Sequence, residues 1–135
     1  MLVYAHRGGT PEHERIGAWL QTVANGSAAF GLSALVLSGF LRIVTHPRVF
    51  ATPTRLDTAL AFVASLRARP NCVEVSPGPR HWEIFADLCR ATQATGNQIP
   101  DAYLAALAIE SGSEWITTDG GFARYARLRR RHPLG

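Results

Sequence analysis

Segments with apolar residues at helical spacing alternate along this chain with short runs rich in β-branched residues, and no linker interrupts the alternation. Ile16, Trp19, Leu20 and Val23 form one helical stripe, and Leu56, Leu60, Val63 and Leu66 form another. Cys72-Val73-Glu74-Val75 alternates as a strand does. Such a pattern predicts a single α/β domain over residues 1–135, a three-layer α/β/α sandwich with a mostly parallel central sheet.

Local chemistry marks several element ends. Thr10 and Pro11 suit the N-cap and first position of a helix that Asn25-Gly26 closes. Ala28 to Leu32 forms a short strand, and Ser33 caps an apolar helix running to about Thr45. Thr54 is expected to cap the next helix, and Trp82, Phe85 and Cys89 to head the buried face of the one after Pro79, widened by Ile84 and Leu88. Leu2-Val3-Tyr4 reads as a shortened first strand, and the segment from Arg124 to His132 as a short helix followed by an edge strand around Leu128. The five arginines of that last segment suit a solvated edge that discourages sheet pairing.

Composition narrows the function classes. The chain has 135 residues, 47% of them hydrophobic, which is enough for one real core. No apolar run reaches the roughly 18 residues of a membrane span, and the N-terminus lacks a signal-peptide layout, so a cytoplasmic location is expected. All fourteen basic residues are arginine and the net charge is +4, which suits a polyanionic partner such as nucleic acid or an acidic protein segment. Cys72 and Cys89 lack metal-ligand spacing and read as reduced core residues. The five histidines are scattered and read as surface or loop residues. The signatures of serine hydrolases, P-loop proteins, zincins and dinucleotide-binding proteins are absent.

Chemistry concentrates between Thr95 and Phe122, TGNQIPDAYLAALAIESGSEWITTDGGF. Asp101 opens an Ala/Leu helix, and Asp119 follows the strand to which that helix leads. Singly, each acid has an ordinary explanation: Asp101 complements the helix dipole, and Asp119 caps the next short helix. As a pair they are brought to one edge, because the helix and strand double back. Asn97 and Thr117 stand beside them as neutral oxygen-bearing groups. Carboxylates without histidine or thiolate suit a hard cation, magnesium or alternatively manganese. Arg42 is the one charge in its apolar helix; pairing with a carboxylate or snorkelling is its ordinary role and a phosphate contact its functional one.

Three stretches carry a resemblance that covers nearly the whole chain: LVYAHR at the start, FLRIVTHPRVF in the middle, and GNQIPDAYLAALAIESGSEWITTDGGFARY toward the end. The chain resembles the PIN-domain ribonucleases of the VapC type, the toxins of type II toxin–antitoxin modules. The resemblance implies magnesium-dependent cleavage of RNA, a homodimer, and neutralisation by a VapB-like antitoxin. It gives Asp101 and Asp119 as catalytic acids and metal ligands. Beside them Asn97 and Thr117 are read as supporting residues, and Arg7 and Arg42 as arginines that hold the RNA backbone. The family pattern D-x-N-x-L-x-Y places a further aspartate three residues before Met1, and many members carry another acid where Leu37 stands. The expectation is therefore that Met1 is an internal or misassigned start, or that the gene is truncated. Two functions stay open: a metal-dependent endoribonuclease, and a catalytically impaired PIN domain that binds antitoxin or RNA without cleaving.

Overall fold

Thr10 accepts a hydrogen bond from the His13 amide at 3.1 Å, and Pro11, whose missing N–H costs nothing in a first turn, opens helix α2 (Pro11–Asn25). The computed structural model describes residues 1–135. Ahead of α2 lies helix α1 (Leu2–Arg7); after it come strand β1 (Phe30–Leu32), α3 (Ala34–Val44), α4 (Leu56–Arg67), β2 (Cys72–Glu74), α5 (His81–Thr92), α6 (Gln98–Ser111) and β3 (Trp115–Ile116). A 3-10 helix (Gly120–Arg124) and β4 (Arg130–Arg131) complete an α/β fold in which both strand pairs are parallel. The chain divides into two compact units, residues 1–74 and 75–133.

In the first unit, β1 pairs with β2 in the register Phe30 to Cys72, Gly31 to Val73 and Leu32 to Glu74. Leu20, Ala24, Leu37, Phe40, Val44, Ala59, Val63 and Leu66 form its core, and the Leu2 side chain joins them. Leu2-Val3-Tyr4 is therefore not a strand. It is the first turn of a helix whose Ala5 and Gly8 amides donate to the carbonyls of Met1 and Tyr4. Ser33 caps α3 as expected, accepting from the Val36 amide at 3.2 Å. The last carbonyls of α2, which have no partner within the helix, take side-chain donors from far along the chain. Arg69 Nε donates to Ala24 at 2.8 Å, and Asn71 Nδ2 to Val23 at 3.0 Å and to Ala28 at 2.9 Å.

Thr54 does not cap α4. Arg55 takes the N-cap position without a side-chain bond, while the Thr54 hydroxyl serves α1, lying 3.2 Å from His6 Nε2 and accepting from Arg7 Nη1 at 3.1 Å. A tertiary use has outcompeted a local one. The His6 ring packs against Phe40 and Phe62, and burial followed by the Arg7 charge lowers its pKa below 6.5.

In the second unit, β3 and β4 pair with Trp115 opposite Arg130 and Ile116 opposite Arg131. Helix α6 is apolar around most of its circumference, with Ala102, Ala105 and Ala106 at 0% exposure, so it is enclosed rather than one-sided. Ile84 and Leu88 of α5 pack on those alanines, together with Phe122, Tyr125 and Leu128. The buried face of α5 is thus His81, Ile84 and Leu88, while Trp82 is 70% exposed. His81 corrects the expectation that every histidine is a surface or loop residue: it is 3% exposed, with Nε2 3.0 Å from the Tyr103 carbonyl. The terminal segment is also shifted, since Leu128 is buried and the strand falls at Arg130–Arg131. Both cysteines are free and partly buried.

The turn leading into α5 is pinned from α6. Glu110 accepts from the Gly78 amide of the turn at 2.7 Å and from the amide of the N-cap residue Arg80 at 2.9 Å. A Cβ on Gly78 would lie 2.7 Å from Glu110 Oε2, so glycine is what lets the carboxylate reach the backbone. These bonds, Gly78 first, hold the Glu110 carboxyl below its ordinary 4.5.

Candidate active site

Helix α6 starts at Gln98, so Pro100 lies within its first turn, where no amide hydrogen is needed, and Asp101 ends that turn. The Gln98 side chain accepts from the Thr95 amide at 3.2 Å and anchors the preceding loop. From the other direction, the Thr117 hydroxyl accepts from the Asp119 amide at 3.0 Å, and Asp119 Oδ1 accepts from the Gly121 amide at 2.8 Å. Asp119 is therefore an N-cap, as its sequence context suggested, with one carboxylate oxygen committed to the 3-10 helix.

The two acids act on each other. The Asp101 carboxyl is raised above 3.8, first by burial and then by the negative charge of Asp119, while the Arg124 guanidinium pulls the other way. Neither acid closes an ion pair; Asp87 with Arg90 and Glu114 with Arg131 do, both exposed. Like charges left facing each other cost free energy that a bound cation would recover. Two carboxylates supply hard oxygen donors of the kind magnesium takes, with water filling its remaining positions. The donor set fits the ion, although no group of three or more carboxylate, histidine or cysteine side chains assembles anywhere in the chain.

The other expected site residues are distributed less simply. Thr117 positions the Asp119 backbone. Asn97 stands at the N-cap of α6, exposed and without a capping bond from its side chain. Arg7 and Arg42 belong to the first unit. Arg7 is engaged within its own unit, donating to the Thr52 carbonyl at 2.9 Å with its guanidinium 4.0 Å from the Phe50 ring centre. Arg42 is exposed and makes no ion pair. A groove of about 800 Å³ in the first unit, lined by Ala5, Gly17, Leu20, Phe62 and Leu66 among others, carries Glu14 as its one carboxylate.

Two residues beside the acids were not anticipated. Tyr125 is 3% exposed and its hydroxyl donates to the Gln98 carbonyl at 3.4 Å, tying the start of α6 to the end of the 3-10 helix. Burial, then the Asp101 charge, raises its pKa, and Arg124 opposes both. Arg124 folds back over the turn: Asp119 Oδ1 and Arg124 Nη2 lie 3.0 Å and 3.3 Å from the point where a Cβ on Gly121 would sit. In the sequence Arg124 is indistinguishable from the arginine run that follows it, and only the 3-10 turn separates it from that run.

An α/β fold with parallel strand pairs, an aspartate in the first turn of α6 and another just past β3 is compatible with a known class. Residues 1–128 match the PIN domain, and the chain belongs to that family, within its VapC group. It is similar to the VapC ribonuclease Mb2897 of Mycobacterium bovis, with 46% identity over 134 residues, 99% of this chain and 91% of that protein. Ribonuclease VapC25 of Mycobacterium tuberculosis is 37% identical over 133 residues, 98% of this chain and 94% of its own. Ribonuclease VapC33 of the same organism is 38% identical over 134 residues, with coverages of 99% and 94%. No helix is long and apolar enough to cross a membrane.

Proposed function

We propose that this chain is a magnesium-dependent endoribonuclease, the toxin of a type II toxin–antitoxin pair, with Asp101 and Asp119 as its acid pair. The observation that carries the reading is that the Asp119 charge bears on the Asp101 carboxyl and neither acid closes an ion pair, in a chain whose relatives are named VapC ribonucleases. RNA is the substrate, a VapB-like antitoxin the protein partner, the cytoplasm the location and a homodimer the working form.

In this reading Asp101 and Asp119 hold magnesium, or manganese in its place. When bound, the ion polarises a phosphoryl oxygen and lowers the pKa of water toward neutrality, so hydrolysis needs no nucleophilic side chain. The protein supplies placement. The Thr117 hydroxyl holds the Asp119 backbone amide and the Gly121 amide holds Asp119 Oδ1, leaving the other carboxylate oxygen for the cation. Gln98 and Tyr125 fix the helix start that carries Asp101. A second reading, binding of antitoxin or RNA without cleavage, is favoured by one observation: the acids number two and not three or more.

Incubation with RNA in magnesium tests the proposal. Cleavage is expected, stopped by chelator and restored by added magnesium. Cleavage that continues in chelator would sink the metal-dependent reading, and tight antitoxin binding with no cleavage would leave the second one standing.

A further inference from the structure

Arg124 is a cation placed beside two acids that it does not neutralise. In a surface cluster an arginine that close to aspartates ordinarily closes a bidentate pair. Here Asp119 Oδ1 and Arg124 Nη2 both border the open position above Gly121, at 3.0 Å and 3.3 Å, yet no ion pair forms. The Asp119 oxygen is held by the Gly121 amide, and the guanidinium faces the buried Tyr125 hydroxyl, which is itself tied to Gln98. The space between acid and arginine is kept clear by glycine, since any Cβ at residue 121 would enter it.

We infer that Arg124 is the phosphate-binding residue of this site, gripping a non-bridging oxygen of the RNA phosphodiester from the side opposite the acid pair. This rests on the ribonuclease reading and assigns the substrate-facing cation within it. An anion between a cation held by the acids and a guanidinium satisfies both charges, whereas direct closure of Arg124 onto the acids would occupy the site with the protein's own side chain. The arrangement also carries a cost: in the absence of RNA, Arg124 repels any cation entering at Asp101 and Asp119. Arg7, engaged by Thr52, Thr54 and Phe50, is less available for the same task.

The two effects have opposite signs, which makes them separable from a structural role. Arg124→Ala, an exposed position, should leave the melting temperature nearly unchanged. It should tighten Mn²⁺ binding, followed by calorimetry at low salt without RNA, by about tenfold, the size of one unit charge removed from about 6 Å of a divalent ion in a solvated site. It should lower kcat for RNA cleavage by about 100-fold, as loss of a single charge-stabilising donor does elsewhere. Arg124→Lys should recover part of kcat, because it restores the charge but not the planar fork. A kcat within twofold of the parent in Arg124→Ala, or weaker Mn²⁺ binding in that variant, would overturn the inference while leaving the ribonuclease reading intact. Tightened Mn²⁺ binding in a chain that never cleaves RNA would instead retain the facing of Arg124 and cation and defeat the ribonuclease reading.

Discussion

Asp119 has two roles that a pair of substitutions can pull apart. Its Oδ1 bond to the Gly121 amide caps the 3-10 helix that carries Phe122 into the core, and its charge is assigned to the cation. Asparagine caps about as well as aspartate, whereas alanine at an N-cap costs typically about 1 kcal/mol. For a chain of this length 1 kcal/mol corresponds to a fall in Tm of about 3 to 5 °C. Metal-free Asp119→Ala should therefore melt lower by that amount. Asp119→Asn should melt at or slightly above the parent, since it keeps the bond and removes the repulsion against Asp101. Magnesium at ten times its dissociation constant adds about 1.4 kcal/mol to the parent, or roughly 5 °C, and should add nothing to either variant. Differential scanning calorimetry with and without magnesium reads all of these. If Asp119→Asn falls as far as Asp119→Ala, the capping bond is not what stabilises the turn; if it keeps the magnesium shift, Asp119 is not a ligand.

Other consequences follow from single contacts. Ile16 is fully buried, so Ile16→Ala should cost about 2 to 5 kcal/mol in chemical denaturation, and a cost under 1 kcal/mol would contradict that burial. Glu110 has a lowered pKa, so its contribution is complete above 4.5 and is lost as pH falls through the lower folded value; Glu110→Gln should flatten the acid limb of the stability profile, and an unchanged limb would refute the clamp. His6 is also lowered, from 6.5, so its neutral form favours the fold above pH 6.5 and that favour is lost as pH falls through the lower folded value; His6→Asn should blunt the loss of stability between pH 7 and 5.

Much of this architecture is legible in the residues, and the failures are instructive. Thr10-Pro11, Ser33 and Asp119-Gly120-Gly121 announce helix starts because capping is chemistry between a side chain and amides two or three residues away. Thr54 looks identical by that criterion, but its hydroxyl is taken by His6 and Arg7, 48 and 47 residues distant, a competition no local window contains. On α5 the expected Phe85, Cys89, Ile84 and Leu88 all pack on the core, but the face is rotated toward Ile84 and Leu88, so His81 and not Trp82 heads it. Leu2-Val3-Tyr4 is too short for either periodicity to declare itself, so its helix is decided by the burial of Leu2. At the site, the acids and Thr117 could be read from order along the chain; Arg124 and Tyr125 needed the fold of the 3-10 helix back toward Asp101.

The central claim is that Asp101 and Asp119 together make one cation site that cleaves RNA. Asp101→Asn, which keeps the shape of the side chain and removes its charge, tests it most directly through the single-turnover rate of RNA cleavage at saturating RNA and fixed magnesium. Changes one shell away from a metal already cost 10- to 100-fold, so loss of a ligand predicts a fall of at least about 100-fold. A rate within a few-fold of the parent would contradict the assignment.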